Sequence, residues 1–308
     1  MDIGLDWREL DKPVNWKAVF GNNNPVDCEI GFGNGEFLVK KSELHPERNF
    51  FGIDYSVESF RRAKKTIEKT NSSGIKIVCL EAKAAFIVLV PEKSFSHIYL
   101  NFPDPWPKKK HYKNRLLDRE FFTIAASCTK DKGKIIVATD DPFYRDFILE
   151  EMASVHLWES LFQKGWTNEL SDHFSTKYEN KWRSEGKEIF YMMFQKKNNP
   201  DINFRIKEYK IPNKIGLSGF SPSKLEEIRG ETICKKDSVS KLLKFKEQKE
   251  GFVLHVFLKD DTLIRKAELT VDNNNKEKWE LTIPKKLFRT RSLKMFVDKL
   301  KTLYKERS

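Results

Sequence analysis

Val26-Asp27-Cys28-Glu29-Ile30-Gly31-Phe32-Gly33-Asn34-Gly35-Glu36-Phe37-Leu38 is the stretch on which the reading of this chain turns. A short strand-like run passes straight into three alternate glycines, and Phe37, Leu38 and Leu44 then recur at helical spacing. Strand, glycine loop and helix together make a nucleotide-binding turn, because glycine lets the backbone approach a ligand closely. The dinucleotide fingerprint would place glycine or alanine at 36, where this chain has Glu36. It carries instead an acid two residues before the first glycine, in Glu29-x-Gly31-x-Gly33-x-Gly35.

Working outward, Asn49-Phe50-Phe51-Gly52-Ile53 reads as a second strand ending at Asp54. A carboxylate about 20 residues past the glycines is placed to accept both hydroxyl protons of a ribose. Arg61 to Lys69 reads as a basic helix, Asn71-Ser72-Ser73-Gly74 as its exit loop, and Ile75 to Leu80 as a third strand ending at Glu81-Ala82. Ser96 to Phe102 is the fourth strand, Asp118 to Cys128 a helix, and Gly133 to Thr139 a fifth strand ending at Asp140-Asp141-Pro142. Asp141-Pro142 opens a helix through Met152, and Glu188 to Phe194 is another strong strand. Strands alternating with helices in this order predict an α/β fold with a doubly wound sheet.

The fourth strand delivers Asn101-Phe102-Pro103-Asp104-Pro105-Trp106-Pro107-Lys108-Lys109-Lys110-His111. Pro103, Pro105 and Pro107 fix φ and remove donors, so neither helix nor strand runs through them. A carboxylate, an indole and a cluster of cations are thereby held on a stiff bend past a strand's carboxyl end, where ligands bind in open α/β sheets. Lys108, Lys109, Lys110, Lys113 and Arg115 suit phosphate contacts, and Trp106 either stacks on a base or packs under the bend.

Composition narrows the class. The 308 residues are 39% hydrophobic and 33% charged, long enough for two domains, and no apolar run approaches a membrane span. Cys28, Cys79, Cys128 and Cys234 stand singly, which suits neither zinc spacing nor a disulfide framework, and predicts reduced thiols in a cytoplasmic protein without a metal site. The net charge is +12, with 26 Lys+Arg against 16 Asp+Glu in residues 200–308 and 31 against 29 before them. A basic excess of this kind favours a polyanionic partner, most often nucleic acid.

The glycine pattern resembles the first motif of S-adenosylmethionine-dependent methyltransferases, and further motifs narrow the resemblance. Phe102-Pro103-Asp104-Pro105-Trp106-Pro107-Lys108-Lys109-Lys110-His111 with Lys113-Asn114-Arg115, then Ala138-Thr139-Asp140, then Thr176-Lys177-Tyr178-Glu179, follow Glu29 to Gly35 in order. Together they are similar to bacterial tRNA (guanine-N7)-methyltransferases, over roughly residues 1–197. The resemblance implies a Rossmann-like class I methyltransferase fold with an antiparallel last strand, and methyl transfer to the variable-loop guanine at tRNA position 46. It implies that Glu29, Gly31, Gly33, Gly35, Asp54, Glu81, Ala82, Asn101 and Asp104 bind the cofactor, that Asp104 is catalytic, and that Lys108, Asp140, Thr176, Lys177, Tyr178 and Glu179 meet the tRNA. Asp54 and Glu81 depart from the family, which commonly has glutamate at the first position and aspartate at the second. Two other readings stand beside it: a catalytically silent tRNA-binding subunit, and a methyltransferase acting on another RNA or on protein.

Asn198-Asn199-Pro200-Asp201 reads as a linker to a basic extension, 202–308. Residues 202–250 are mixed and Lys-rich; Phe252 to Leu258, Leu263 to Val271 and Trp279 to Ile283 then read as strands, and Leu293 to Tyr304 as an amphipathic helix. The expectation is a small α+β domain that grips tRNA or braces the first domain, in a monomer or a homodimer.

Overall fold

The computed structural model describes residues 2–70, 72–170, 184–201, 206–260, 263–273 and 279–304. The chain separates into two compact units, Met1–Asn203 and Phe204–Ser308.

In the first unit the elements follow as β1 (Gly4–Leu5), α1 (Trp16–Phe20), β2 (Val26–Ile30), α2 (Glu36–Leu44), β3 (Asn49–Asp54), α3 (Val57–Glu68), β4 (Ile75–Cys79), α4 (Ala82–Val88) and β5 (Phe95–Asn101). A 3-10 turn, Lys109–Asn114, precedes α5 (Arg119–Cys128), β6 (Thr129–Thr139), α6 (Pro142–Ser154), β7 (Trp158–Ser160) and β8 (Phe190–Lys196). The sheet order is β1-β4-β3-β2-β5-β6-β8-β7. Strands β2 to β6 pair in parallel, and β8 runs antiparallel between β6 and β7. This is the expected methyltransferase-type sheet with an antiparallel last strand. Its order reverses between β2 and β5, so the crevice for ligands opens above those two strands.

Both faces of the sheet are buried, and β3 shows why. Phe50 and Phe51 are successive residues and point to opposite sides. Phe50 packs with Phe32, Leu38, Ala63, Ile67, Ile75 and Ile77 under α2 and α3. Phe51 meets Trp16 at 4.9 Å and Phe95 at 6.5 Å between ring centres on the other side.

The structure corrects several boundaries. Helix α3 begins at Val57 rather than Arg61, because the Ser56 hydroxyl accepts from the Ser59 amide and caps it there. The short α4 stands where the sequence predicts only a strand end, since every residue from Ala82 to Val88 but Lys83 is apolar and buried, with too little periodicity to betray a helix. Strands β1 and β7 are too short to carry a pattern, and β6 begins at Thr129, four residues before Gly133.

The second unit is a six-stranded antiparallel sheet, formed by β9 (Lys214–Leu217), β10 (Thr232–Lys235), β11 (Ser238–Gln248), β12 (Gly251–Asp260), β13 (Leu263–Asn273) and β14 (Trp279–Thr282) in the order β10-β11-β12-β13-β14-β9. Helices α7 (Pro222–Ile228) and α8 (Arg291–Leu303) complete it. Leu293, Phe296, Val297, Leu300 and Tyr304 of the α8 stretch pack on Leu254, Val256, Leu258, Leu269, Val271 and Leu281 of one sheet face. The small α+β domain expected here is present, with three more strands and one more helix than the sequence reading placed. Those extra elements lie in 202–250, where lysines on the outer side of β11 conceal its alternation.

Candidate functional site

Five strand ends bring the candidate residues to one edge of the first sheet. Glu29 sits in β2, Asp54 closes β3, Glu81 follows β4, Asn101 closes β5 and Asp140 follows β6. The loop from Gly31 to Gly35 rises between β2 and α2, with φ of +77° at Gly31, +53° at Gly33 and +80° at Gly35. These values are why the positions are glycine. A methyl group on Gly31 or Gly33 would touch nothing within 4 Å, whereas one on Gly35 would lie 3.0 Å from the Ala63 methyl. Gly35 therefore serves the packing of α2 on α3, and Gly31 and Gly33 border open space.

Glu29 is buried, and Asn101 Nδ2 donates to its Oε1 at 3.1 Å. Its Oε2 is buried with no hydrogen-bond partner. Burial, with the Asp54 charge nearby, pushes its pKa up to about 8 despite the Asn101 bond. Asp54 accepts from the Gly33 amide at 3.1 Å and the Ser56 amide at 2.8 Å, so one carboxylate fixes both the glycine loop and the start of α3. Its pKa is also raised, chiefly by burial, and the charge of Asp104 adds to the effect. Three carboxyls thus share one neighbourhood, and one oxygen lacks a donor. Such a site suits a cationic, hydroxyl-bearing ligand. S-adenosylmethionine, with an ammonium, a sulfonium and a ribose, fits that description.

Glu81 is at its expected place but its side chain is engaged. It accepts from the Lys83 amide at 3.0 Å and the Ala84 amide at 2.8 Å, capping α4. Ala82 begins that helix and is buried.

The proline segment leaves β5 with strain. Phe102 and Trp106 hold φ of +53° and +44°, conformations that non-glycine residues avoid unless their surroundings impose them. The surroundings are visible. The Phe102 amide donates to the Ala138 carbonyl at 2.8 Å, and Arg115 Nε donates to the Pro105 carbonyl at 2.8 Å. The Arg115 guanidinium lies 3.8 Å from the Tyr112 ring centre and 4.4 Å from that of Phe147. Arg115 is buried, which corrects its reading as a phosphate contact: it is the internal strut of the bend. Asp104 projects from the bend, exposed and without a hydrogen bond among the described residues. Lys108, Lys109, Lys110 and Lys113 are exposed, and Trp106 lies 5.8 Å from His111 between ring centres.

Asp140 pairs with Lys187 Nζ at 2.6 Å, a partner the sequence did not suggest because it lies 47 positions away. Thr176, Lys177, Tyr178 and Glu179 lie outside the described residues. Among the described residues no group of three or more His, Cys, Asp or Glu is arranged to hold a metal ion, and no helix is long and apolar enough to cross a membrane.

Comparison with known proteins finds relatives of this chain. A family model described as "Putative methyltransferase" matches residues 23–192. A tRNA (guanine-N(7)-)-methyltransferase of Chlamydia caviae is 32% identical over 183 residues, covering 59% of this chain and 81% of that protein. One of Thermotoga maritima is 29% identical over 229 residues, 74% of this chain and 72% of the relative. Among solved structures, one titled "Structure of an Antibiotic Related Methyltransferase" is 18% identical with a TM-score of 0.41, over 58% of this chain and 91% of that one. With the matched model spanning the glycine loop and the proline segment and ending within β8, and a relative 32% identical covered over 81% of its length, the chain belongs to the tRNA (guanine-N7)-methyltransferase family.

Proposed function

We propose that this protein transfers the methyl group of S-adenosylmethionine to N7 of a guanine in tRNA, with the variable-loop guanine at position 46 as its target. The observation that carries the reading is the group of three interacting carboxyls, one with an unpartnered buried oxygen, directly beside a strained, cation-rich bend.

S-adenosylmethionine, when bound, supplies an electrophilic methyl on a sulfonium. Glu29 Oε2 is the acceptor for its amino group, and Asp54 retains lone pairs for the ribose hydroxyls beside the two amides it already holds. Gly31 and Gly33 let the backbone lie against the ligand, while Asn101 orients Glu29. Glu81 contributes by holding the first turn of α4, Ala82 included, rather than by a free carboxylate.

Guanine N7 carries an in-plane lone pair and no proton, so no general base is required there. The residues have to align N7 with the methyl and keep water out. As positive charge grows on the guanine ring, its N1–H becomes more acidic. Asp104, accepting from N1–H or N2–H, orients the base and favours that charge shift. Asp140 is the second acceptor, available once its pair with Lys187 opens. Lys108 takes a tRNA phosphate, and the segment Thr176 to Glu179 meets the substrate. Tritiated methyl transfer to unmodified tRNA tests the reading: label in 7-methylguanine supports it, and label confined to protein or to another base defeats it.

A further inference from the structure

The second unit has a sheet face that its own helices do not cover, and strand register settles what stands there. Along β12, Leu254, Val256, Leu258 and Asp260 are buried in the core, so Val253, His255, Phe257 and Lys259 belong to the opposite face. Lys241 of β11 and Lys266 of β13 are the register partners of Phe257, Lys244 is that of His255, and Lys246 that of Val253. The register shift between Leu242 and Lys244 preserves the outward set and adds Leu243 to it, 39% exposed.

Lys241, Lys244, Lys246, Lys259 and Lys266 therefore occupy one face of three adjacent strands. Among the described residues the acid in those rows is Glu268, held by His255 at 3.2 Å. Asp272 and Glu280 lie at the far end, where Lys214 pairs with Glu280 at 2.6 Å. On a sheet, same-face neighbours are spaced by about 7 Å along a strand and about 5 Å across strands. That spaces the lysine positions at intervals comparable to those of neighbouring phosphates. Clustered like charges repel and are relieved by a polyanion. Between the lysines stand Phe257, Leu243 and Ile264, the last 60% exposed, and these offer apolar contact to a sugar or base. A phosphate backbone with sugars and bases beside it matches both features.

We infer that this face, built from second-unit residues alone, is a docking surface for the tRNA backbone. The inference rests on tRNA being the substrate. The lysines fix no sequence; they hold the body of the molecule and make its affinity steeply dependent on salt.

The test uses the full chain and three variants. The first is Lys241→Glu/Lys244→Glu/Lys266→Glu; the second replaces the same lysines with arginine; the third, Lys285→Glu/Lys286→Glu/Lys301→Glu, makes the same net change at exposed positions outside the face. Binding of tRNA is measured across a salt series, with thermal melts to confirm folding and methyl transfer at saturating tRNA. The first variant is expected to raise Kd about tenfold and to flatten the dependence of log Kd on log salt by about 2–3. The arginine variant retains both values, the third shifts Kd about threefold or less, and kcat at saturating tRNA stays within about twofold in all three. An unchanged Kd and salt slope in the first variant overturns the inference. So does a change confined to self-association or to binding of anionic vesicles, which would assign the face to a second copy or to a lipid surface. Wild-type protein that binds tRNA but moves no methyl defeats the function reading alone. Full methyl transfer with binding unaffected in the first variant defeats this inference alone.

Discussion

Glu29 is a carboxyl withheld from water with one oxygen unpartnered, and that has a consequence for stability. Its folded pKa of about 8 lies above the ordinary 4.5, so the folded state holds the proton more tightly than the unfolded one. By linkage the ligand-free protein loses stability as pH rises from about 4.5 to about 8, by at most about 5 kcal/mol for a shift of this size. Glu29→Gln removes the ionisation. Its melting temperature is expected to equal the wild type's at pH 4 and to exceed it at pH 9, while its affinity for S-adenosylmethionine falls at both. Melts of the ligand-free proteins at the two pH values check the first part, and calorimetric titration the second. Asp104, by contrast, is exposed and free to meet a base. Asp104→Asn is expected to lower single-turnover methyl transfer on the order of 100-fold, with folding unaffected. Near-normal transfer would remove Asp104 from the mechanism.

The proline bend, as an element, depends on Arg115. Arg115→Ala removes a charge-assisted hydrogen bond to Pro105 and the ring contacts with Tyr112 and Phe147, a loss of about 2–4 kcal/mol. Lys109→Ala, at an exposed neighbour, is expected to cost under about 0.5 kcal/mol. Urea unfolding of the two variants separates strut from surface cation. The stiffness of this bend was legible in the sequence because proline acts locally. The role of Arg115 was not, because the rings that enclose it are joined to it only by folding. Glu81 shows the same limit: its place at a strand end could be read, while its capping of α4 required knowing that a short, mostly apolar run is helical. In the second unit Asp260 ties α8 to the sheet, accepting from the Ser238 hydroxyl at 2.9 Å, the Ser292 amide at 2.8 Å and Arg265 at 2.7 Å. Asp260→Ala leaves a buried guanidinium uncompensated and is expected to destabilise this unit by about 3 kcal/mol. Hydrogen exchange in α8 would report it.

At the scale of the whole molecule the two units differ in how openly their sequences declare them. Strands β2 to β6 lie inside a sheet covered on both faces, and short runs rich in Val, Ile and Phe, each closed by a glycine, an acid or a proline, let their order be followed from Val26 to Thr139. The second unit hides half its sheet. In β11 the inward residues include Ser238 and Ser240 beside Leu242 and Phe245, and the outward ones include Lys241, Lys244 and Lys246 beside Leu243, so the alternation of polar and apolar residues is broken. What the sequence did disclose was the charge, +10 in residues 200–308 of a total +12. The methyl transfer itself is tested most directly on tRNA. Unmodified tRNA is incubated with the full chain and tritiated S-adenosylmethionine, digested to nucleosides, and the label assigned by chromatography and its position by mapping. The label is expected in 7-methylguanosine at the variable-loop guanine, and on the order of 100-fold slower with Asp104→Asn. Label in any other nucleoside, or none with cofactor demonstrably bound, would contradict the proposed reaction.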